Sequence, residues 1–445
     1  MKKFIIDNIT NVKADIRMDN STTNSLWNNF CFGKSELNIV SGDNNTFLIG
    51  NIPIPKLPEK CDYVITVTES GAAIRARNYS GLMRGFIHLL YKIELDTSDA
   101  QTEIICVQPF TDEKSYLLER RMAHFCVFRE TDIELVRQEI RYAGILHFTH
   151  VVLEFWGMLK FDCLKELSWP DAYSKEQAAD LIREIREFGM EPIPFFNHLG
   201  HASLSKISTG EHVVLNQNPG LQGLFFPEGW EWNIFSDKTK KLLTDVRKEL
   251  TDIFGNGEYF HIGCDEAYMI LNNDKLKPAM ADYVRELTDK VESEGRKPLL
   301  WADMYISQKE IRALPAKNTE SLYWAPCKDE YETNFQLDSL SKNSILIDWQ
   351  YEVTETPFRS YMNLKSKGFN VMTAPWKRTE NCVAALDTAV KYDGYGIMCT
   401  TWNEVSESFY GMYETAIRFG APEFDWAKCS DRRALKAALL RKIKY

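Results

Sequence analysis

The sequence lacks the patterns that mark membrane-spanning, secreted and nucleic-acid-binding proteins. It contains no run of about 18 apolar residues, so no transmembrane helix is predicted. Its first segment, MKKFIIDNITNVKAD, has an apolar run much shorter than the roughly 7–15 residues of a secretory signal. The formal net charge is −10 and no basic stripe is present, which argues against a phosphate-backbone partner. We therefore expect a cytoplasmic protein that binds neither membranes nor nucleic acids.

Paired cysteine motifs are also missing. The ten cysteines are scattered without a C-x-x-C pair, and Cys106, Cys126, Cys264 and Cys399 lie inside apolar runs. Cysteines in such positions are typical of reduced core residues, and they do not indicate a disulfide framework or a zinc site.

Apolar residues are abundant enough for a large core. Hydrophobic residues make up 44% of the 445 residues and aromatic residues 12%, so the chain can fill one large domain and a smaller one. In residues 1–112, short alternating strands such as 46–50 and 62–70 precede an amphipathic helix that follows Asn78. This pattern predicts an N-terminal α+β domain.

Residues 113–445 follow a different pattern, in which apolar strands alternate with amphipathic helices. Eight such strands predict a (β/α)8 barrel. They lie at 121–128, 149–156, 191–196, 258–263, 297–303, 344–350, 370–376 and 396–402. We interpret a ninth apolar segment, 320–327, as an insertion or an irregular segment after strand five. An open doubly wound sheet is the alternative, but no Gly-rich phosphate turn follows the first strand.

Tryptophans and carboxylates recur at the ends of these strands, where barrel enzymes place their active sites. Tryptophan ends five of the eight strands, and indole faces pack well on the apolar faces of sugar rings. These tryptophans are Trp156, Trp301, Trp349, Trp376 and Trp402. A single tryptophan at such a position is more often a core residue, whereas five together indicate a ligand pocket.

The end of the fourth strand, FHIGCDEAY (260–268), carries two adjacent acids, Asp265 and Glu266. Adjacent carboxylates repel each other and resist burial, so their chemistry needs an explanation.

Several motifs in chain order resemble those of glycoside hydrolase family 20, the β-N-acetylhexosaminidases. HIGCDE (261–266) resembles the signature H-x-G-G-D-E, and PFFNHLGH (194–201) resembles P-E-x-D-x-P-G-H. WADM (301–304) and TTWNE (400–404) resemble the W-x-D and W-x-E motifs of strands five and eight. The pair Arg121 and Arg129 is similar to the arginine pattern of the first strand, and residues 74–90 resemble part of the accessory domain.

This resemblance implies a substrate-assisted mechanism, an exception among retaining glycosidases. The acetamido group of the substrate attacks its own anomeric carbon and forms an oxazolinium ion. By resemblance, Glu266 is the general acid and base, and Asp265 holds the acetamido N–H. We expect the neighbouring anion and partial burial to raise the pKa of Glu266 and keep it protonated.

The resemblance also assigns the remaining site residues and implies that no cofactor or metal is needed. Arg121 would bind the 3- and 4-hydroxyls of the terminal sugar, and Glu404 the 4- and 6-hydroxyls. The walls of the sugar pocket would come from Trp301, Trp349, Trp376 and Trp402. Residues behind the acids would orient them, namely His201, His261, Asn197 and Asp303. The partner would be a glycan or glycoconjugate with a terminal N-acetylhexosamine, and a homodimer stays open.

Some positions depart from the family pattern. Cys264 replaces a glycine, Phe195 stands where a glutamate is expected, and Cys126 stands at an aspartate position. The tyrosine that binds the acetamido oxygen has no clear match, although Trp376 or another tyrosine could replace it. These departures bear on substrate preference more than on the type of reaction.

Two other functions compete with this interpretation. A metal-dependent hydrolase would use His198 and His201 with Asp303 and His261, but the H-x-H pattern of that class is absent from the first strand. A sugar-binding protein without activity would not need both Asp265 and Glu266. A chitinase-type barrel is disfavoured because its D-x-x-D-x-D-x-E motif is not found.

Overall fold

The computed structural model describes residues 2–99, 102–203, 215, 218–315, 322–327, 336–402, 405–407, 409–422 and 432–444. Two sheets occupy the N-terminal part. The larger has six strands in the order β3-β2-β4-β6-β5-β9, and the smaller has the order β1-β8-β7. Their bounds are β1 Phe4–Ile5, β2 Ile9–Ala14, β3 Glu36–Ser41, β4 Thr46–Gly50, β5 Tyr63–Thr68, β6 Gly71–Ala76, β7 Ile93–Asp99, β8 Thr102–Val107 and β9 Phe110–Lys114.

Two α-helices, Ser21–Phe30 and Tyr79–Tyr91, pack on these sheets. The second helix begins where predicted, because the side chain of Asn78 accepts a hydrogen bond from the amide of Gly81 and caps the helix. The expected boundary between residues 112 and 113 falls inside β9. The division of the chain into an N-terminal domain and a barrel domain stays a proposal, with its boundary after the end of β9.

Eight parallel strands form a closed barrel in which β10 pairs with both β11 and β17. This architecture confirms the predicted (β/α)8 fold and excludes the open doubly wound sheet. The strands are β10 Arg121–Cys126, β11 His150–Glu154, β12 Glu191–Phe195, β13 Tyr259–His261, β14 Lys297–Trp301, β15 Ile345–Asp348, β16 Asn370–Thr373 and β17 Gly396–Cys399. Residues 322–327 contribute no barrel strand, in agreement with an insertion after strand five.

Helices follow the barrel strands and bury one apolar face each. The longer ones are Ile133–Ile145, Lys175–Glu187, Asp237–Phe254, Lys277–Ser293, Arg359–Ser366, Thr379–Lys391, Phe409–Phe419 and Arg432–Ile443, and the shorter ones are Tyr268–Leu271 and Gln308–Ala313. Short 3-10 turns lie at Ile16–Met18, Lys165–Leu167, Pro219–Leu224 and Asp303–Tyr305. Within the described residues, no helix is both long and apolar enough to cross a membrane.

Mostly apolar side chains fill the inside of the barrel, where His124 and Glu154 also form a buried pair 2.9 Å apart. Successive residues of a strand face opposite sides, so alternate positions point inward. The buried inner cluster consists of Met122, Val152, Ile193, Phe195, Tyr259, Leu299, Trp301, Ile345, Ile347, Met372, Ala374 and Met398. This packing occupies the interior, and barrel enzymes build their sites at the carboxyl ends of the strands.

Candidate active site

The two adjacent acids lie on a tight turn directly after β13. Gly263 (φ 67°), Cys264 (φ 70°) and Glu266 (φ 53°) all have left-handed backbone conformations. The side chain of Asn197, from the end of the third strand, holds this turn. Its oxygen accepts from the amide of Cys264 at 3.0 Å, and its amide nitrogen donates to Asp265 Oδ1 at 2.6 Å. Asn197 therefore fixes both the turn and the first carboxylate.

Cys264 is completely buried, and its left-handed backbone explains why a glycine would suit this position. Its thiol points toward the carbonyl of Ile262 at 3.5 Å. Burial raises the pKa of the thiol well above its usual value, so Cys264 packs behind the acids as a neutral group.

His201 bridges the two carboxylates. Its Nε2 atom lies 3.3 Å from Asp265 Oδ2 and 3.3 Å from Glu266 Oε2. Burial alone would lower the pKa of His201, but the charge of Asp265 and the hydrogen bonds to both acids raise it to about 10. The imidazole is therefore a cation at neutral pH, and the sequence-based expectation that His201 orients the acids is compatible with this position.

The ionisation of Glu266 differs from the expectation. Burial raises its pKa, but the hydrogen bond and charge of His201 outweigh burial, and the neighbouring Tyr268 hydroxyl adds to their effect. The net result is a pKa below the usual value. The prediction that the neighbouring anion keeps Glu266 protonated is wrong, because a histidine cation stands between the two acids.

Asp303 is the carboxyl group whose protonated form is favoured. It is buried, and burial together with the charge of Asp265 raises its pKa well above the usual value. Its Oδ2 accepts from the amide of Glu266 at 3.0 Å, and its Oδ1 accepts from Trp349 Nε1 at 3.2 Å. Asp303 thus connects the turn that carries Asp265 and Glu266 to the aromatic side chain of Trp349.

Aromatic side chains stand beside the acids, as predicted from the strand ends. Trp402 donates from Nε1 to the Tyr351 hydroxyl at 2.8 Å, and Trp349 lies 5.3 Å from the Tyr351 ring. Trp301 is fully buried below them, with its ring 5.5 Å from Trp402, so it supports the wall and is not exposed to a ligand. Trp376 packs against Tyr351 at 5.5 Å and donates to the carbonyl of Thr401.

The structure does not bring Arg121 to this site, so its expected role in sugar binding is wrong. Arg121 begins β10 and therefore lies at the amino end of the barrel. Its neighbour Met122 faces the interior, so the Arg121 side chain points outward. It donates to the carbonyls of Leu118 and His147 and stacks on the Tyr116 ring at 4.0 Å.

His261 and Glu404 need separate description. His261 stacks on Phe195 at 4.0 Å, and its Nδ1 accepts from the amide of Gly263. It therefore contacts the turn and not the carboxylates, and burial lowers its pKa well below the usual value. Glu404 lies outside the described residues.

Three residues in contact with the acids or the aromatic side chains, and a fourth, Glu231, beside the segment that follows the acids, were not identified from the sequence. Trp230 donates to the carbonyl of Glu266 at 2.8 Å and packs 4.3 Å from the His201 ring. Glu231 accepts from the amide of Met269 at 2.7 Å, and burial raises its pKa to about 7. Tyr268 and Tyr351 are the others. Trp230 and Glu231 lie far beyond the end of β12, where the strand-end rule gives no signal.

Comparisons with known proteins agree with this architecture. The family profile of the glycosyl hydrolase family 20 catalytic domain matches residues 156–415, more than half of the chain. A comparison with curated protein sequences found no match.

Similar solved structures come from bacteria and show the same fold. The β-N-acetylhexosaminidase of Streptomyces coelicolor has a TM-score of 0.67 and 15% identity over 99% of this chain and 93% of that chain. The enzyme of Bacteroides fragilis has a TM-score of 0.66 and 14% identity over 100% of this chain and 93% of that chain. A mutant Streptomyces plicatus β-hexosaminidase in complex with GlcNAc has a TM-score of 0.65 and 14% identity, over 99% and 92% of the two chains. This protein belongs to glycosyl hydrolase family 20 and is a glycoside hydrolase.

Proposed function

We propose that this protein is an exo-acting, retaining β-N-acetylhexosaminidase that removes terminal β-linked GlcNAc or GalNAc from glycans. The observation that carries the proposal is the acid pair itself. Asp265 and Glu266 leave the same strand and share one histidine cation, and an aromatic wall stands beside them. A sugar ring can pack on such a wall while both carboxylates face its anomeric end.

The positions of the acids favour substrate assistance. Retaining enzymes with an enzyme nucleophile place two carboxyl groups about 5–5.5 Å apart on opposite sides of the bond to be cleaved. Here Asp265 and Glu266 are neighbours, and hydrogen bonds from Asn197 and His201 hold Asp265 to its own turn. An anion held in this way suits an orienting role better than attack on the opposite face.

In the proposed reaction, the acetamido oxygen attacks the anomeric carbon while the bond to the leaving oxygen breaks. Glu266 gives its proton to the leaving oxygen. Asp265 accepts a hydrogen bond from the acetamido N–H and balances the positive charge of the oxazolinium intermediate. Glu266 then takes a proton from water as the water attacks the anomeric carbon, and the acetamido group is released.

The proton for the first step requires a source, because the free site favours ionised Glu266. We propose that His201 stores it. When a sugar excludes water from the site, the pair of charges on His201 and Glu266 is less well solvated, and transfer from Nε2 to Oε2 across 3.3 Å neutralises both groups. Glu266 is then the protonated acid that bond cleavage needs.

Sugar binding in this proposal uses the aromatic wall and a hydroxyl. Trp349 and Trp402 are partly exposed and would contact the ring and the acetamido methyl group. The Tyr351 hydroxyl accepts from Trp402 Nε1, so its own proton is free to point at an acetamido oxygen. Glu404 would bind the outer hydroxyls, as the family resemblance implies.

A panel of nitrophenyl glycosides tests the proposal. We expect turnover of β-N-acetylglucosaminide or β-N-acetylgalactosaminide and at least about a hundredfold less of the β-glucoside, which lacks the attacking acetamido group. A thiazoline that mimics the oxazolinium ion should inhibit competitively. Equal rates on the β-glucoside and the N-acetyl sugar would refute substrate assistance.

A metal-dependent hydrolase has less support, because its candidate ligands do not converge. His198 points away from the acids, with its Nε2 3.3 Å from Arg247 and its Nδ1 2.6 Å from the carbonyl of Phe196. Among the residues that the structure describes, no group of three or more histidine, cysteine, aspartate or glutamate side chains is arranged to hold a metal ion.

A further inference from the structure

A cavity of about 610 Å³ lies at the opposite end of the barrel from the acids. Residues from the amino ends of β10 to β13 form one side, and residues from the loops and the second helix of the N-terminal sheets form the other. Its lining holds six cations, Lys60, Arg77, Arg84, Arg120, Arg121 and Arg186, against four carboxylates, Asp62, Glu119, Glu191 and Glu258. This local excess of cations contrasts with the net charge of −10 of the whole chain.

Two of these cations are paired with carboxylates. Arg84 makes two hydrogen bonds to Asp62, at 2.7 and 2.9 Å. Arg120 lies 3.2 Å from Glu119 and also donates to the Tyr259 hydroxyl. The charges of Arg84 and Arg120 are therefore compensated within the chain.

The other three guanidinium groups have only backbone carbonyls as hydrogen-bond acceptors among the described residues. Arg77 donates to Glu59 and Cys61, and Arg186 donates to Phe254 and Asn256. Arg121 donates to three carbonyls through Nε and Nη1. None of the three lies within ion-pair distance of a described carboxylate.

Arg121 carries the strongest indication of a missing partner. Only 2% of the residue is exposed, and its Nη2 atom is buried without any hydrogen-bond partner. Burial and the charge of Arg84 lower the pKa of Arg121 to about 9. The charge of Asp62 acts in the opposite direction, but Asp62 forms no ion pair with Arg121. A buried cation with an unsatisfied donor is costly, and a bound anion would reduce that cost.

We propose that this cavity binds a phosphate group, either as inorganic phosphate or as part of a phosphate ester. Arg77 and Arg186 are exposed and Arg121 is buried, and none of the three forms an ion pair with a described carboxylate. A ligand with more than one negative charge can contact several of these guanidinium groups, whereas a carboxylate carries only one charge. A phosphate carries about two charges and several acceptor oxygens, which match the forked donors of arginine. The cavity has room for the organic part of an ester beside the phosphate.

Thermal unfolding with added inorganic phosphate tests the proposal. Ionic strength is kept constant with NaCl, which serves as the control for screening. We expect a saturable rise in Tm of about 2–4 °C with phosphate and none with NaCl. A parallel titration with glucose 6-phosphate distinguishes the two sources, because an ester that uses the remaining volume will bind more tightly than inorganic phosphate.

Variants locate the site. Arg77→Gln and Arg186→Gln should each weaken phosphate binding about tenfold, as measured by calorimetric titration. The matched control is Arg183→Gln, one turn earlier on the helix of Arg186, where Arg183 pairs with Asp180 and does not line the cavity. Phosphate binding should be unchanged in this control.

Lys60→Gln provides a second test. Because the Lys60 side chain is exposed, we expect the variant to fold normally, and it too should weaken phosphate binding. Hydrolysis of nitrophenyl sugars should be unchanged in all four variants, so failure here is independent of the proposed enzymatic function. The proposal is overturned if phosphate gives no rise in Tm beyond that of NaCl, or if the cavity variants bind phosphate as tightly as Arg183→Gln.

Discussion

At the scale of single residues, His201 decides how Glu266 ionises. Its Nε2 faces both Asp265 and Glu266 at 3.3 Å, so one cation offsets two adjacent anions. This arrangement explains how adjacent carboxylates are kept in a largely buried site. The positive charge of His201, within hydrogen-bonding distance, offsets the free-energy cost of placing the two carboxylates together. Protonation of Glu266 is not what offsets it.

Glu266→Gln should lower kcat by about 10²–10⁴-fold on an N-acetylglucosaminide with a poor leaving group, because glutamine cannot donate the proton. The loss should be much smaller for a nitrophenyl leaving group, which needs little protonation. Steady-state rates on the two substrates measure this difference. Near wild-type turnover of the poor substrate would show that Glu266 is not the acid.

His201→Asn should move the alkaline limb of the pH profile of kcat/KM to lower pH. In the wild-type protein, the pKa of His201 is raised to about 10, so the cluster keeps its proton through neutral pH and loses it as the pH approaches 10. Without the imidazole, the acid form depends on the proton of the Glu266 carboxyl itself, which is lost at lower pH. An alkaline limb that does not move would contradict the role of His201 as the proton store.

At the scale of structural elements, the turn after β13 places the acids through backbone geometry. Three of its residues have left-handed conformations, which cost free energy for all except glycine. The Asn197 side chain offsets part of this cost by its hydrogen bonds to the turn. The turn and the end of the third strand therefore act as one unit.

Gly263→Ala should destabilise the protein by about 2–5 kcal/mol and abolish most activity. A Cβ atom at this position would lie 2.5 Å from the Asn197 side chain, which holds Asp265. The matched control is Gly295→Ala, because Gly295 also has a left-handed backbone (φ 82°) but an added Cβ would meet nothing within 4 Å. Chemical denaturation and nitrophenyl hydrolysis should show about 1–2 kcal/mol and full activity for the control.

At the scale of the whole molecule, the two ends of the barrel carry different groups and make different contacts. The carboxyl ends hold the acids and the tryptophans, and the amino ends contact the N-terminal sheets through buried arginines. Arg121 links these parts. Its guanidinium packs on the ring of Tyr116, which follows β9, and lies 5.2 Å from the ring of Phe419, the last residue of the helix Phe409–Phe419.

Arg121→Met should therefore lower stability and leave sugar binding unchanged. Loss of its hydrogen bonds leaves buried carbonyls without donors, and removal of the buried cation offsets part of this cost, so the net loss should be about 1–3 kcal/mol. KM for a nitrophenyl N-acetyl sugar should stay within about twofold of the wild-type value. A large increase in KM without loss of Tm would restore the sugar-binding role that the structure contradicts.

The barrel was predictable because each strand is an apolar run that a helix with 3.6-residue periodicity follows. The site at Asp265 and Glu266 was predictable because two adjacent carboxylates directly after an apolar strand are unusual. The turn at Asn78 was predictable from local capping chemistry. In contrast, β7 and β9 were not predicted, because both are largely polar strands. β7 pairs with the next strand, β8, whereas β9 pairs with β5, which lies much earlier in the chain.

The sequence by itself determined the order of strands and helices, the barrel and the position of the acid pair, since these depend on local periodicity and on residues close together in the chain. Only the tertiary structure decided the ionisation of Glu266, the placement of Arg121 and the contacts of Trp230 and Tyr351. Each of these depends on which side of a strand a residue faces and on charges contributed by distant segments. Electrostatic interactions act through space, so the pattern of the chain cannot reveal them before it folds.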